Sequence, residues 1–140
     1  MSNAYHDENL VNEAVSYADE SLTKDRFDKI MRCVELGMKG ALTNAQFNDC
    51  YDYAGSYCFR EVYVRSVSWS VYTVEYIDRL KRLVKEVSGK DNPSVLEVCA
   101  GNGVLGKVMD NWTCTDISPT KSHVIKAKAV AAVKYHGFRS

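Results

Sequence analysis

Residues 94–109, SVLEVCAGNGVLGKVM, constrain this chain more than any other stretch. An apolar run meets a small-residue turn, and a second apolar run follows. A short apolar run bounded by turn signals suits a buried parallel strand. SVLEVCA is therefore expected as a strand, GNG as the turn and VLGKVMDN as a short helix. WTCTD, closed by ISP, is expected as a second short strand. The strand–helix–strand portion is then a parallel unit with a right-handed crossover. KSHVIKAKAVAAVKYHG, rich in Ala and Lys, reads as a closing helix stopped by Gly137, and a third strand would begin only at YHGFRS.

The first half reads as helical. Leu10, Val11, Ala14, Val15 and Ala18 recur at helical spacing between Asn9 and Asp19. Phe27, Ile30, Met31, Val34 and Met38 form a second apolar face, with Gly37 and Gly40 suited to its end. Thr43 or Asn44 caps a third helix through AQFNDCYDYAG. SYCFREVYVRSV suits a strand by its β-branched and aromatic content and equally suits the start of a helix. From Ser68 the period is helical, and Trp69, Tyr72, Tyr76, Ile77, Leu80, Leu83, Val84 and Val87 share one face. SGKDNP then breaks the chain. The expected organisation is an N-terminal helical region over residues 1–65 and an α/β region over residues 66–140.

Bulk properties narrow the function classes. Lys plus Arg equals Asp plus Glu at 18 each, so net charge gives no argument for a nucleic-acid or membrane surface. Cys33, Cys50, Cys58, Cys99 and Cys114 are odd in number and include no CxxC spacing, against a zinc site or a disulfide framework. Reduced, mostly buried thiols in a cytoplasmic protein are expected instead. No run approaches the ~18 apolar residues of a membrane span, and MSNAYHDENL lacks the apolar core of a signal peptide.

A glycine-rich turn between strand and helix lets backbone approach a ligand and aims the helix N-terminus at it. Gly101, Gly103 and Gly106 spell GxGxxG, which alone suits several cofactors or a tight structural turn. Two neighbours sharpen the choice. Glu97 lies inside the first strand, where a buried carboxylate needs a partner that a cationic ligand would supply and a pyrophosphate would not. Asp116 closes the second strand, where a carboxylate can accept bonds from ribose hydroxyls. The spacing from Gly101 to Asp116 is short for a dinucleotide fold, which counts against a nicotinamide-dependent oxidoreductase. The implied ligand has a ribose, some positive charge and no need for phosphate contacts.

VLEVCAGNG followed by TDIS resembles motif I and the acidic end of the second strand in class I S-adenosylmethionine-dependent methyltransferases. Their pattern is an apolar pair, an acidic residue, then glycines at alternate positions; Cys99 stands here in place of the first glycine. SVSWSVYTVEYIDRLKRL is similar, more loosely, to a segment that leads into motif I in some of these enzymes. The resemblance covers about residues 66–138 and implies a Rossmann-like fold, truncated, behind an N-terminal helical region. It implies that Cys99, Ala100, Gly101, Asn102 and Gly103 belong to the S-adenosylmethionine site, with Gly101 and Gly103 lining the methionine portion. It further implies that Glu97 orients the cofactor's amino group, that Asp116 holds its ribose and that Ile117 packs on its adenine.

The family's catalytic segment follows the fourth strand, and nothing in this sequence matches it, so the catalytic residues and the methyl acceptor stay unassigned. The expectation is the N-terminal part of a methyltransferase, with a homo-oligomer or a second subunit completing the sheet. The rival expectation is a non-catalytic interaction protein derived from that fold. Bland readings stand beside the sharp ones. Trp69, Tyr72, Tyr76 and Trp112 are expected in the core, with a cofactor-lid role as the alternative for the first three. Cys99 is expected as a buried inert thiol, and His123 and His136 as surface groups on the closing helix. Lys121, Lys126, Lys128 and Lys134 are expected to form one solvated face.

Overall fold

The computed structural model describes residues 23–54 and 56–137; the helix expected from Asn9 to Asp19 lies outside them, as does the side chain of His136. The chain divides into two compact units, Met1–Glu75 and Tyr76–Ser140.

In the first unit, helix α1 (Lys24–Met38) starts where Thr23 accepts a hydrogen bond from the Arg26 amide at 3.3 Å. Its buried residues Ile30, Met31, Cys33, Val34, Gly37 and Met38 follow the helical period. It ends in a Schellman arrangement: Gly40 takes φ 67°, and the Ala41 amide donates to the Leu36 carbonyl at 2.9 Å. Gly37 lies in the last turn of the helix, and a Cβ there would run into the Tyr63 ring and hydroxyl. Helix α2 (Asn44–Ala54) opens with a capping box. The Gln46 amide donates to Thr43 Oγ1 at 3.1 Å and the Thr43 amide donates to Gln46 Oε1 at 2.9 Å, which makes Thr43 the cap. The ambiguous SYCFREVYVRSV segment is helical as α3 (Ser56–Ser66). Burying Phe59, Val62, Tyr63 and Val67 stabilises that choice over a strand, whose period would put Val62 and Tyr63 on opposite faces. Phe47, Tyr51, Phe59 and Tyr63 form a linked aromatic cluster with centroids 5.1–5.9 Å apart.

The helical period does not begin at Ser68. Helix α4 spans Val74–Ser88, and residues 68–73 are irregular. Trp69 is 81% exposed and Tyr76 49% exposed, so neither belongs to the core. Of the apolar face on α4 only Ile77 is buried, while Leu83 and Val87 are exposed. Spacing identifies the stripe and cannot say whether a partner covers it.

In the second unit, strand β1 (Val95–Glu97), helix α5 (Val104–Val108), strand β2 (Trp112–Asp116) and strand β3 (Ile125–Lys126) follow in order. The sheet is parallel with spatial order β1-β2-β3. Val95, Leu96 and Glu97 pair with Trp112, Thr113 and Cys114, and Ile125 and Lys126 pair with Thr115 and Asp116. The fold class is therefore mixed helix with a small parallel sheet, a partial α/β arrangement. The closing helix expected over 121–137 is not continuous. Its first part is a turn and the third strand, followed by short helix α6 (Ala129–Ala132) and a π turn (Val133–Gly137). The third strand thus comes earlier than YHGFRS. The four lysines lie on a turn, a strand, a loop and the π turn, so they form no single helix face. Among the described residues no helix is long and apolar enough to cross a membrane.

Candidate functional site

The loop Val98–Gly103 runs from the C-terminal end of β1 to the start of α5. Cys99, Gly101 and Gly103 all take left-handed conformations, with φ 56°, 58° and 66°. Glycine accepts this without steric cost, whereas Cys99 carries a strain of about 1 kcal/mol. Two backbone bonds shape the loop: the Ala100 amide donates to the Thr115 carbonyl and the Gly103 amide to the Ala100 carbonyl, both at 2.9 Å. Cys99 is exposed, contrary to the buried thiol expected of it, because the left-handed turn swings it out of the β1 line.

Asp116 pins the loop. Its Oδ2 accepts from the Gly101 amide and its Oδ1 from the Ser118 amide, each at 2.9 Å. The Ser118 bond first, and the Gly101 bond next, hold its carboxyl below the usual carboxylate range. Each carboxylate oxygen has a second lone pair beyond these bonds. Ile117, the next residue, is 61% exposed.

Glu97 finds its partners inside the fold. Its Oε2 accepts from Trp112 Nε1 at 2.9 Å and from Cys114 Sγ at 3.5 Å, both on β2. Its half-burial therefore requires no cationic ligand, which removes one premise of the sequence reading. Burial, and then the Glu97 charge, push the Cys114 thiol up to about 11. Trp112 is half-buried on this bond. Thr115, fully buried, donates from Oγ1 to the Glu97 carbonyl at 3.2 Å.

The three glycines differ in what surrounds them. A Cβ on Gly101 would meet nothing within 4 Å. A Cβ on Gly103 would come within 2.5 Å of Val124 and 2.6 Å of the His123 ring. A Cβ on Gly106 would strike Cys114 Sγ, so this glycine lets α5 lie close against β2. Only Gly101 therefore presents bare backbone to open space.

His123 was not legible as part of this site. It is neither on a helix nor a surface group. It sits half-buried in the turn before β3, with Nε2 2.7 Å from the Gly103 carbonyl, to which it donates in the Nε2–H tautomer. Thr120 donates to Asn102 Oδ1 at 2.5 Å, so the 117–124 connection buttresses the loop at two points. No local pattern announces contacts between residues 18 and 20 apart.

A separate cavity of about 490 Å3 lies at the other end of the strands, lined by Val95, Trp112, Lys81, Asp91 and Asp110 among others. Ligands of open parallel sheets bind outside the carboxyl ends of the strands, which here is the end carrying Gly101, Asp116 and Ile117. Among the described residues no group of three or more His, Cys, Asp or Glu side chains could hold a metal ion. No protein-family model, no curated protein and no solved structure matches the chain.

Proposed function

We propose that the Val98–Gly103 loop binds S-adenosylmethionine, and that the chain carries the cofactor-binding part of a methyltransferase of Rossmann-like class. The observation that carries this reading is Gly101: left-handed, bare on its outer side, and held by Asp116 at the carboxyl end of a parallel sheet. The motif resemblance supplies the identity of the cofactor. Gly101 and Gly103 would line its methionine portion, with Cys99, Ala100 and Asn102 completing the loop around it. The remaining lone pairs of Asp116 would accept from its ribose hydroxyls, and exposed Ile117 would cover its adenine. Glu97, engaged by Trp112 and Cys114, would reach the amino group only through water. Methyl transfer needs in-line placement of acceptor and sulfonium and exclusion of water; the acceptor and the groups that place it are unassigned.

Calorimetric titration with S-adenosylmethionine and its demethylated product, with NAD as control, tests the reading. Saturable binding of the first two alone is expected. Gly101→Ala should keep the fold, losing about 1 kcal/mol to backbone strain, and lose binding at least tenfold, because the new methyl group enters the space left for the ligand. Unchanged affinity in a folded Gly101→Ala chain removes the loop from the site.

A second reading is a non-catalytic interaction protein. Its support is the apolar surface of the second unit, where Leu83, Val87, Ile117, Val130 and Tyr135 are each more than half exposed. Mass in solution separates the two: an obligate hetero-complex without cofactor binding favours the second.

A further inference from the structure

Helix α4 carries two apolar faces, and only one of them is buried in the fold. Ile77 is 4% exposed and Val84 is half-buried. Tyr76, Leu80, Leu83 and Val87 form a second stripe, whose middle lies about 90° round the helix from Ile77. Tyr76 is 49% exposed, Leu83 53% and Val87 80%, with Leu80 between the two faces and half-buried. Round the rest of the helix Asp78, Arg79, Lys81, Arg82, Lys85 and Glu86 are all charged and exposed.

The steps of the exposed stripe are four, three and four residues. That is the narrow a/d stripe of a two-helix seam, with Tyr76 and Leu83 at d and Leu80 and Val87 at a. Arg79 and Glu86 then both fall at g and flank the seam on the side away from Ile77. Neither of these two side chains has an ion pair or a hydrogen bond among the described residues.

The charges identify the partner. Two copies running antiparallel about a two-fold axis set Leu80 against the partner's Leu83 and Tyr76 against the partner's Val87, and the axis makes each contact twice. The same axis sets Arg79 against the partner's Glu86 and Glu86 against the partner's Arg79, so opposite charges meet at both edges of one shared face. A parallel pair would set Arg79 against the partner's Val84 and leave Glu86 beyond the end of the partner's helix.

We propose that α4 is a homodimer seam, on which a second copy of this chain packs antiparallel through Tyr76, Leu80, Leu83 and Val87, with Arg79 and Glu86 paired reciprocally across it. A 15-residue helix is about 22 Å long, so the seam is small for a specific interface. The dimer therefore dissociates reversibly, with a Kd on the order of 10–100 µM. The seam uses no residue of the glycine loop, and its test stands apart from cofactor binding.

Sedimentation equilibrium of the full chain from about 2 µM to about 1 mM reads the mass directly. Dithiothreitol is present so that exposed Cys99 forms no cross-link. A rise from 15.8 kDa towards twice that mass, with no larger species, is expected. A monomer throughout overturns the proposal, and is what a stripe reserved for another protein or for residues 1–22 of this chain would give. Growth to open-ended oligomers overturns it too, since a two-fold seam closes. Leu83→Asp should weaken the dimer at least tenfold, because it places a carboxylate in the seam, and should leave the circular dichroism spectrum unchanged. An undiminished dimer puts the contact elsewhere. Arg79→Glu and Glu86→Arg, each alone, set like charges together at both edges and should weaken the dimer about fivefold at low salt. The two combined should restore it. A double variant as weak as the singles overturns the antiparallel arrangement. The wild-type masses decide the dimer itself even where Leu83→Asp fails to fold.

Discussion

The two compact units are stabilised by different means. Among the described residues, six of the seven largest fully buried side chains, Tyr63, Ile30, Leu42, Val34, Val67 and Cys50, lie in the first unit, and Thr115 lies in the second. Exposed large apolar side chains among the described residues divide the other way: Tyr51 and Trp69 in the first unit against Tyr76, Leu83, Val87, Val98, Ile117, Ile125, Val130, Val133 and Tyr135 in the second. The helical unit is held by dense apolar packing. The sheet unit is held around its loop by directed bonds: Gly101 to Asp116, His123 to Gly103, Thr120 to Asn102 and Trp112 to Glu97. Packing resists deletion of volume, whereas a bonded loop resists displacement of a few atoms.

The sharpest test of the contrast is volume loss. Leu42→Ala should destabilise the first unit by roughly 2–5 kcal/mol, read as a fall in the urea midpoint of the helical signal. A loss below about 1 kcal/mol would mean that the site collapses and that the packing is looser than its burial indicates. Gly103→Ala comes next. Its Cβ would meet Val124 and the His123 ring at a φ of 66°, so it adds overpacking to backbone strain, with an expected cost of about 2–3 kcal/mol confined to the second unit. Amide hydrogen exchange resolves where the loss falls. An equal loss of protection in α1 and α2 would break the division between the units.

A smaller effect follows from Asp116. Its folded carboxyl titrates below the ordinary value of 3.8, so its stabilising contribution is present above 3.8 and is lost as pH falls through the lowered folded value. Asp116→Asn should therefore trail the wild type at neutral pH and converge with it in that acid window. Parallel stability curves down to the lowest pH would mean that the carboxylate charge is not what holds the loop. Smallest of all is Tyr63→Phe. It removes a buried hydroxyl that has no partner among the described residues, so stability should change by less than about 1 kcal/mol, in either direction, in thermal unfolding. A loss above about 2 kcal/mol would reveal a partner for that hydroxyl.

Sequence and structure agree best where local chemistry decides. WTCTD is a strand with the same bounds in both, because alternating β-formers meet a turn at ISP. Helix α1 carries its own cap, period and glycine stop. The closing segment misleads because Ala and Lys favour a helix while His123 and Val124 are drawn under Gly103, and tertiary contact overrides a weak propensity. Trp69 misleads differently: its spacing continues the α4 stripe, but residues 68–73 are irregular and leave it in solvent. For the candidate site, Gly101 and Asp116 were legible as a pair because the strand–turn–helix–strand order brings the two strand ends together. The internal partners of Glu97 were not, since register decides which side chains of β2 face it.

The placement of the two tryptophans has an optical consequence. Each unit holds one indole: Trp69 stands in water, and Trp112 donates its N–H to Glu97, one strand end away from the glycine loop. Replacing Trp69 with Phe removes a solvent-exposed ring and leaves a single emitter, hydrogen-bonded to a carboxylate with the Cys114 thiol alongside. Its emission colour and yield would then report, without any attached dye, on the strand that leads into Asp116 and the loop it pins.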